Sequence, residues 1–314
     1  MSFGCVVLSG ANGFLGSRIA SRLAAEGAQI RAPLRHPCGD ASLSHPNICQ
    51  FIGDFSSTQL AQRVCEGAEA VVHCAASFST DYTVAQRVNI DGTRALAIAA
   101  RHAGVRSFVH ISTLAVLEIR SYDAVLTDDS PLKTDGDPYG VTKALAELEV
   151  REQARLGLHA CILRPAAILG AHPRSTWGTK VPEAIRAGKV PLRGDGLDRQ
   201  AWVDVENLVN AVQIALAQPA AEGKTFNIVD GHWQWRRYVE EVRRWFPHAP
   251  AAPLIPFSAL DLRTDPLSYF VGSFASERIR RELGYMPRRS FADGMKEAAL
   301  QFTQPTAARH PVGE

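Results

Sequence analysis

The chain contains 314 residues, of which 46% are hydrophobic, so it can bury a sizeable core and is not expected to be disordered. Its 34 basic and 32 acidic residues are spread along the chain and give a formal net charge of +2. This balance creates no extended positive field to hold a polyanion, which argues against a nucleic-acid partner.

Short apolar segments alternate with segments of helical periodicity through the first half of the chain, a pattern typical of βαβ units in a parallel sheet. The segments predicted as strands are continuously apolar, as strands buried on both faces should be. In chain order they are Cys5–Ser9, Gln29–Leu34, Ile48–Gly53, Ala70–Ala75, Ser107–Ser112 and His159–Arg164. We therefore predict an α/β fold with a Rossmann-type, doubly wound parallel sheet.

A glycine-rich loop, Gly10–Gly16, follows the first predicted strand and opens a predicted helix. Gly10 would make a tight turn, Gly13 would let the backbone approach a pyrophosphate, and Gly16 would let the helix pack closely on the strand. The helix N-terminus would then face the negative charge. A turn without a ligand is the alternative. The residues predicted to bind a dinucleotide here are Gly10, Asn12, Gly13, Phe14, Leu15 and Gly16.

The second predicted strand is followed by Arg35 and His36, about 20 residues beyond the glycines, where an NAD-binding fold usually carries an acidic residue. A guanidinium there offers forked donors to the 2′-phosphate of NADP(H), which a carboxylate would repel. We therefore predict NADP(H) as the preferred cofactor, with NAD as the alternative. Arg18, Arg31 and His36 are expected to bring further positive charge to the same phosphate. The alternative is that Arg35 is an exposed residue at the end of a strand and does not bind the phosphate.

Two segments that follow later strands are further candidates for ligand contact. Asp54 follows the third predicted strand and could contact the adenine ring, with a turn or helix cap as the alternative. The segment Ser77–Tyr82 follows the fourth predicted strand, at the sheet edge that would face the nicotinamide. We therefore regard it as a candidate substrate contact.

Tyr139 and Lys143 are four positions apart, which places a phenol and an ammonium on one face of a helix. A nearby cation favours the phenolate and lowers the pKa of the tyrosine, as a general acid/base for an alcohol or ketone requires. Thr113 follows the end of a buried strand upstream and could hydrogen-bond a substrate oxygen at the same sheet edge, while Tyr139 moves the proton and Lys143 binds the nicotinamide ribose. Tyr139 and Lys143 are therefore also predicted cofactor contacts. A hydroxyl that merely caps the strand is the alternative for Thr113.

After Pro165 the regular alternation of predicted strands and helices ends, because frequent prolines interrupt it. This change indicates a smaller C-terminal substrate-binding lobe. Phe226–Val229 still has the character of a strand that could return to the main sheet. We therefore predict a dinucleotide-binding domain at residues 1–170, joined by 201–230, and an interleaved substrate-binding lobe at 171–314. Four aromatic residues of this lobe either line an apolar pocket or form ordinary core: Trp233, Trp235, Phe257 and Phe270.

The six cysteines form no CxxC pair and no cluster with metal-ligand spacing, so we expect reduced core residues and no metal site. No apolar run approaches the roughly 20 residues that span a membrane. The N-terminus enters a predicted strand without the charged and apolar regions of a secretory signal. We therefore expect a cytoplasmic protein with no membrane partner.

Across most of its length the chain resembles the extended short-chain dehydrogenase/reductases, the broad NAD-dependent epimerase/dehydratase family. The matching stretches are Ser9–Gly16, His73–Ala76, Asn89–Thr93, Ser112–Thr113, Tyr139–Lys143 and Leu163–Pro165, with later echoes at Gly194–Gly196, Val203–Val205 and Leu283–Tyr285. The resemblance implies a proton-relay tetrad and contacts to the cofactor at two strand ends. It assigns catalysis to Thr113, Tyr139, Lys143 and Asn89, and cofactor contacts to Ala75, Ala76 and Pro165. It also implies a possible homodimer formed through the helices that contain Asn89 and Tyr139.

Departures from the family pattern narrow the expected reaction. Sugar-nucleotide dehydratases carry an acidic residue close after the catalytic threonine, where this chain has Leu114 and Ala115. Sugar-nucleotide epimerases commonly have an asparagine where this chain has Ala167. Arg199, in contrast, matches an arginine that meets a nucleotide diphosphate, so an epimerase with internally recycled cofactor stays open.

The remaining sequence is more similar to the hydroxysteroid dehydrogenase and dihydroflavonol reductase branch. This resemblance implies an oxidoreductase that interconverts a small-molecule ketone or aldehyde with an alcohol by hydride transfer. The substrates of this branch are larger and less charged than nucleotide sugars. A protein that senses the dinucleotide without chemistry is a further alternative, but such proteins tend to lose the catalytic tyrosine, and Tyr139 is intact.

Overall fold

The computed structural model describes residues 3–54, 56–119, 124–256 and 269–303 of the chain. Phe257, one of the candidate pocket aromatics, lies outside these residues. The helices are α1 (Phe14–Ala25), α2 (Thr58–Cys65), α3 (Tyr82–Gln86), α4 (Gly92–His102), α5 (Pro138–Arg155), α6 (Val181–Arg186), α7 (Val205–Ala217), α8 (Trp235–Arg244), α9 (Glu277–Leu283) and α10 (Phe291–Thr303). The strands are β1 (Cys5–Ser9), β2 (Gln29–Leu34), β3 (Ile48–Ile52), β4 (Ala70–His73), β5 (Ser107–Ile111), β6 (Val125–Leu126), β7 (Ala160–Pro165), β8 (Ala167–Leu169), β9 (Leu192–Arg193), β10 (Arg199–Asp204), β11 (Thr225–Ile228), β12 (Gly231–Gln234), β13 (Leu254–Ile255) and β14 (Ser273–Phe274).

A 7-stranded sheet with the order β3-β2-β1-β4-β5-β7-β11 forms the centre of the fold. All neighbouring strands in it are parallel. The chain builds outward from β1 to β3, then crosses to the other side of β1 and continues through β4, β5 and β7 to β11. This reversal places a switch point between β1 and β4, where doubly wound folds bind ligands. The predicted Rossmann-type fold is therefore confirmed.

Helices cover both faces of the sheet because successive residues of each strand point to opposite sides. In β1, Val6 and Leu8 belong to a core that includes residues of α1 and α7. Val7 belongs to a second core, which includes residues of α2, α4 and α5. Burial on both sides explains why the central strands are continuously apolar in sequence.

Strand β3 departs from this pattern because it lies at the sheet edge, where Ile52 is 47% exposed. Cys49 on the same strand is also exposed, so the expectation of a core position is wrong for this cysteine, whereas Cys65 and Cys161 are buried. Within the described ranges, no group of three or more His, Cys, Asp and Glu side chains is arranged to hold a metal ion. In the same ranges, no helix has the length and apolar character needed to cross a membrane.

Three strands end before the predicted residue because the chain leaves the sheet to form loops at its carboxyl edge. β3 ends before Gly53, β4 ends two residues before Ala75, and β5 ends before Ser112. The Gly53 backbone has φ +150°, a conformation that favours glycine and turns the chain out of the strand. β7 extends through Pro165, one residue beyond its predicted end.

The later part of the chain also forms small sheets, with the orders β12-β10-β8, β13-β9 and β14-β6. Within the segment 201–230, α7 packs against β5 and β7, and β11 forms the edge of the main sheet. Residues 201–204 are the end of β10, which belongs to the small sheet β12-β10-β8. The part of the predicted segment that joins the main sheet therefore begins with α7. The proposed lobe boundary near residue 170 remains a prediction.

Aromatic side chains form the interior of the region around β12 and α8. Trp233 stacks on Tyr238 with ring centroids 4.9 Å apart, and Trp177 meets Trp235 edge-on at 6.3 Å. These four side chains are almost fully buried, and Phe270 is 9% exposed. The burial of Trp233, Trp235 and Phe270 supports the core alternative over a substrate pocket.

Candidate active site

The glycine loop lies where β1 and β4 end, and its geometry excludes side chains at two positions. Gly10 has φ +71°, and a Cβ atom there would lie 2.7 Å from the Ala75 nitrogen. A Cβ atom on Gly16 would lie 2.0 Å from the Gly10 carbonyl oxygen. Gly13 is the N-cap of α1 and has no side chain to occupy the first N–H groups of the helix. The loop therefore fits the pyrophosphate of a dinucleotide, and the Ala75 backbone lies directly beside it. The cofactor contact of Ala76 remains a prediction.

Two residues that follow β8, His172 and Arg174, contact this loop and were not among the predicted site residues. The His172 ring stacks on Phe14 with centroids 5.5 Å apart. The Arg174 guanidinium donates a hydrogen bond to the Asn12 carbonyl oxygen at 2.5 Å. Leu15 is 7% exposed and packs in the core, so only its backbone is available to a ligand.

The positive charge near the end of β2 comes from fewer residues than expected. Arg35 and His36 are exposed. The expectation that Arg18 and Arg31 join them is wrong. Arg31 donates to the carbonyl oxygens of Val64 and Glu66 near the end of α2, at 2.9 and 2.5 Å. Arg18 is bound by the carboxylates of Glu206 and Glu297 and by the Ala171 carbonyl oxygen, because it lies on the face of α1 next to α7.

Asp54 acts as the cap of a turn before α2. Its carboxylate accepts hydrogen bonds from the Ser56 hydroxyl at 2.7 Å and from the Ser56 nitrogen at 3.0 Å. The second carboxylate oxygen pairs with Arg87 at 2.5 Å. The adenine contact of Asp54 remains a prediction.

Helix α5 carries Tyr139 and Lys143 and begins at Pro138, directly after Asp137. The Asp137 carboxylate caps the helix by accepting from the Gly140 nitrogen at 2.7 Å. Proline is favoured in the first turn, where its missing N–H is not needed. Tyr139 in that turn faces Thr113 at the end of β5, and the Thr113 hydroxyl is hydrogen-bonded to the phenol. Pro165 ends the neighbouring strand β7 and is buried.

The pKa of Tyr139 is raised, whereas the sequence predicted a lowered value. Burial raises the pKa of this phenol, and the hydrogen bond with Thr113 only partly opposes that effect. The Lys143 ammonium donates to the Ile111 carbonyl oxygen at 2.8 Å and lies 3.3 Å from His110 Nε2. Burial lowers the pKa of Lys143 to about 8, against the opposing effects of Glu147 and Cys74. At neutral pH, the site therefore combines a neutral phenol with an ammonium.

Asn89 lies in a π-helical stretch, Arg87–Asp91, that joins α3 to α4. Its amide nitrogen donates to the Thr142 hydroxyl at 2.9 Å and to the Ser77 carbonyl oxygen at 3.0 Å. Its amide oxygen accepts from the Ser77 nitrogen at 2.8 Å. Asn89 thus ties the loop after β4 to helix α5 next to Lys143, while its part in a proton relay remains a prediction.

A buried ion pair fixes the other side of α5. The Arg164 guanidinium donates to both Glu147 carboxylate oxygens, at 2.8 and 2.7 Å, and the Ser112 hydroxyl donates to the same carboxylate at 2.6 Å. Both charged side chains are at most 1% exposed. The sequence contained a signal for this pair, since Glu147 lies one turn beyond Lys143 and Arg164 interrupts an apolar strand.

Aromatic rings lie on the phenol of Tyr139. Phe78 is 72% exposed, yet its ring stacks on Tyr139 with centroids 4.6 Å apart and an angle of 23°. Tyr269 also stacks with Tyr139, at 6.2 Å. Lys133 lies over the Tyr269 ring at 5.3 Å. The segment Ser77–Tyr82 thus reaches the candidate site through Phe78, and its contact with substrate remains a prediction.

The comparison with protein families agrees with this geometry. The model of the NAD-dependent epimerase/dehydratase family matches residues 6–229. The chain belongs to this family. Family members named for several reactions are similar to it along nearly their whole length.

Three relatives illustrate the range of named reactions. A UDP-glucose 4-epimerase of Vibrio cholerae is 23% identical over 95% of this chain and 95% of its own. A 2-alkyl-3-oxoalkanoate reductase of Stenotrophomonas maltophilia is 26% identical over 93% of this chain and 97% of its own. The crystal structure of DesIV, a dTDP-glucose 4,6-dehydratase of Streptomyces venezuelae solved with NAD bound, is 26% identical with a TM-score of 0.78, covering 95% of this chain and 97% of DesIV. Membership of the family therefore supports a dinucleotide-dependent enzyme without selecting the reaction.

Proposed function

We propose that the protein is an oxidoreductase that interconverts a ketone or aldehyde with an alcohol by hydride transfer to or from NADP(H). The observation that supports this proposal most directly is the hydrogen bond between the Thr113 hydroxyl and the Tyr139 phenol at the carboxyl edge of the sheet, with Lys143 on the same helix. The rings of Phe78 and Tyr269 stack on that phenol. The intact hydroxyl pair of Thr113 and Tyr139 favours an enzyme over a dinucleotide sensor.

The three side chains divide the acid–base chemistry between them. In the reducing direction, the Tyr139 phenol gives its proton to the substrate oxygen, and the Thr113 hydroxyl hydrogen-bonds that oxygen. The glycine loop and Lys143 would hold the nicotinamide cofactor, which would supply the hydride when bound. The raised pKa of Tyr139 keeps the phenol protonated and ready to act as an acid. The Lys143 ammonium stabilises the phenolate that remains until solvent returns the proton.

The side chains around Tyr139 argue against elimination of water. Leu114 and Ala115, which follow Thr113, are buried and carry no acid. The Asp137 carboxylate is bound by the Gly140 nitrogen and by the Lys133 ammonium at 3.1 Å. Glu147 is held by Arg164. The carboxylates of Asp137, which caps α5, and of Glu147 are therefore committed to structural contacts, which supports net oxidation or reduction.

A nucleotide-sugar epimerase is the second candidate function, favoured by Arg199 and by the similarity to a named epimerase. Arg199 is exposed at the start of β10 and lines a surface cavity. The same cavity is lined by Asp195 and Asp198, of which Asp198 pairs with Arg193 at 2.5 Å. The Asp195 carboxylate would repel a diphosphate next to Arg199. This charge pattern supports a less charged substrate.

The rings on Tyr139 favour a substrate with an apolar or aromatic body. Phe78 offers an exposed ring face directly beside the phenol, and Tyr269 adds a second ring. Offset stacking on such rings stabilises apolar and aromatic ligands. We therefore infer a ketone or alcohol of larger size as the substrate class.

We infer that NADP(H) is preferred over NAD, since Arg35 stands where an acid would favour NAD. The guanidinium is exposed and suited to bind a 2′-phosphate. We also infer a homodimer. Val84 of α3 and Leu148 of α5 are 48% and 51% exposed on helices that pack against each other, so this surface offers apolar area for a second copy.

A parallel screen tests the proposed reaction. NADPH consumption is followed with a panel of ketones and aldehydes, and the same protein is assayed for isomer interconversion with a panel of nucleotide sugars. We expect net NADPH oxidation with a carbonyl substrate that carries an apolar or aromatic group. Isomerised nucleotide sugar without net oxidation would overturn the proposal.

A further inference from the structure

A buried histidine lies directly behind Lys143. His110, on β5, is fully buried, and its Nε2 lies 3.3 Å from the Lys143 ammonium nitrogen. Its other ring nitrogen, Nδ1, has no hydrogen-bond partner in the described part of the chain. The Ile111 carbonyl oxygen contacts the same ammonium at 2.8 Å.

The Lys143 ammonium determines which nitrogen of the His110 imidazole carries the hydrogen. Lys143 in its charged form can only donate, so His110 accepts through Nε2 and carries its hydrogen on Nδ1. That Nδ1–H is buried without a partner, a disadvantage that an apolar ring of similar size would not have. An ammonium has three N–H bonds, and two are taken by Ile111 and His110. One remains free.

We propose that His110 is a positioning residue that keeps Lys143 protonated and leaves its remaining N–H bond directed to the cofactor ribose. This inference rests on the proposed function, in which the Lys143 ammonium also binds the ribose of the dinucleotide. The imidazole stabilises the charged lysine by accepting from it, so loss of this acceptor favours the neutral amine. The geometry thus predicts that His110 sets the pH above which the lysine stops holding the cofactor.

The other titratable groups around Lys143 leave a clear window for this test. Burial raises the pKa of Cys74 to about 12 and lowers the pKa of His73 to about 3. The pKa of His110 is lowered well below its usual value by burial and by the charge of Lys143. The pKa of Tyr139 is raised. Glu147 adds negative charge from the same helix, and Lys143, with its pKa of about 8, is the group among these that titrates in mildly alkaline solution.

The experiment measures the dissociation constant of NADPH from pH 6.5 to 10 by fluorescence, which requires no knowledge of the substrate. The variants are His110→Phe, which keeps a ring without an acceptor, His110→Gln, which restores an acceptor, and Lys143→Ala. We expect wild-type binding to weaken as Lys143 loses its proton. In His110→Phe this step should move down by about one pH unit, the shift for loss of one hydrogen bond to a charged group. His110→Gln should return the step toward the wild-type pH.

The possible outcomes separate this inference from the proposed function. If Lys143→Ala removes the step and His110→Phe leaves it in place, His110 does not position the lysine, while the role of Lys143 stands. If Lys143→Ala retains the wild-type step, both the role of Lys143 and this inference are wrong. Thermal unfolding of each variant identifies a folding defect, which would weaken binding at all pH values without moving the step.

Discussion

The cofactor preference of this protein should depend mainly on Arg35. Replacing Arg35 with Asp removes the guanidinium and places a carboxylate where it would repel a 2′-phosphate and accept hydrogen bonds from ribose hydroxyls. Because Arg18 and Arg31 are bound to carboxylates and carbonyl oxygens elsewhere, they cannot compensate for this loss. His36, next to Arg35 in sequence, is also exposed at this strand end.

The size of the effect follows from a charge-assisted hydrogen bond, which contributes about 1.5–3 kcal/mol. Arg35 is exposed, so solvent screening places the expected value near the lower limit, about a tenfold change in relative affinity. Arg35→Asp should therefore move the ratio of kcat/KM with NADPH and NADH toward NADH by at least about tenfold.

The assay compares both cofactors at low and high salt, with Arg35→Gln as the variant that removes charge without reversing it. We expect an intermediate ratio for Arg35→Gln and a wild-type preference that decreases as salt increases. Arg31→Gln serves as the matched control and should leave the ratio unchanged. Equal binding of NAD and NADP by the wild type, with no response to Arg35→Asp, would refute the assignment.

Four further predictions concern catalysis, specificity and stability. Tyr139→Phe should lower kcat by about two to four orders of magnitude with nearly unchanged NADPH affinity, and wild-type turnover would exclude the phenol as the acid. Phe78→Ala should raise KM about two- to tenfold for aromatic ketones, the loss expected for one ring stack, but not for a small aliphatic ketone; equal effects on both would contradict stacking. Glu147→Gln leaves Arg164 buried without its charge partner, so urea unfolding should show a loss of about 3–5 kcal/mol, and a loss below about 1 kcal/mol would contradict this role. The pKa values of His73 and His110 are lowered in the folded state, so below about pH 6.5 the unfolded chain binds protons that the native state does not. The free energy of unfolding should therefore decrease as the pH falls below this value, by up to about 1.4 kcal/mol per pH unit for each histidine. Stability that stays constant down to pH 5 would show that these histidines are not buried in neutral form.

The parts of the fold that depend on local pattern could be predicted from the sequence. The bounds of β1 and β2 agree with the structure because their apolar residues pack on both faces and polar or glycine residues end them. The glycine loop could also be predicted, since a Cβ atom at Gly10 or Gly16 would collide with neighbouring backbone in the strand–turn–helix unit. The exposure of β3 at the sheet edge could not be predicted from the sequence, because the order of strands in a sheet depends on contacts between distant segments.

The wrong predictions about the candidate site also depended on contacts between residues that are far apart in sequence. Arg31 lies on the strand expected to lead to the cofactor phosphate, but the carbonyl groups at the end of α2 bind its side chain. Sequence spacing correctly suggested that Tyr139 and Lys143 share a helix face, yet it could not give the burial that raises the pKa of the phenol. Arg174 and His172 reach the glycine loop from more than 150 positions away, which no local pattern reveals.

Following the transferred hydrogen tests the central claim most directly. Wild-type protein is incubated with NADPH that carries deuterium in the transferable position and with a carbonyl substrate identified by the screen, and the product is examined by mass spectrometry. We predict one deuterium in each alcohol molecule for each NADP released, and no labelled product with Tyr139→Phe on the same timescale. Alcohol product that carries no deuterium from the cofactor would contradict the account.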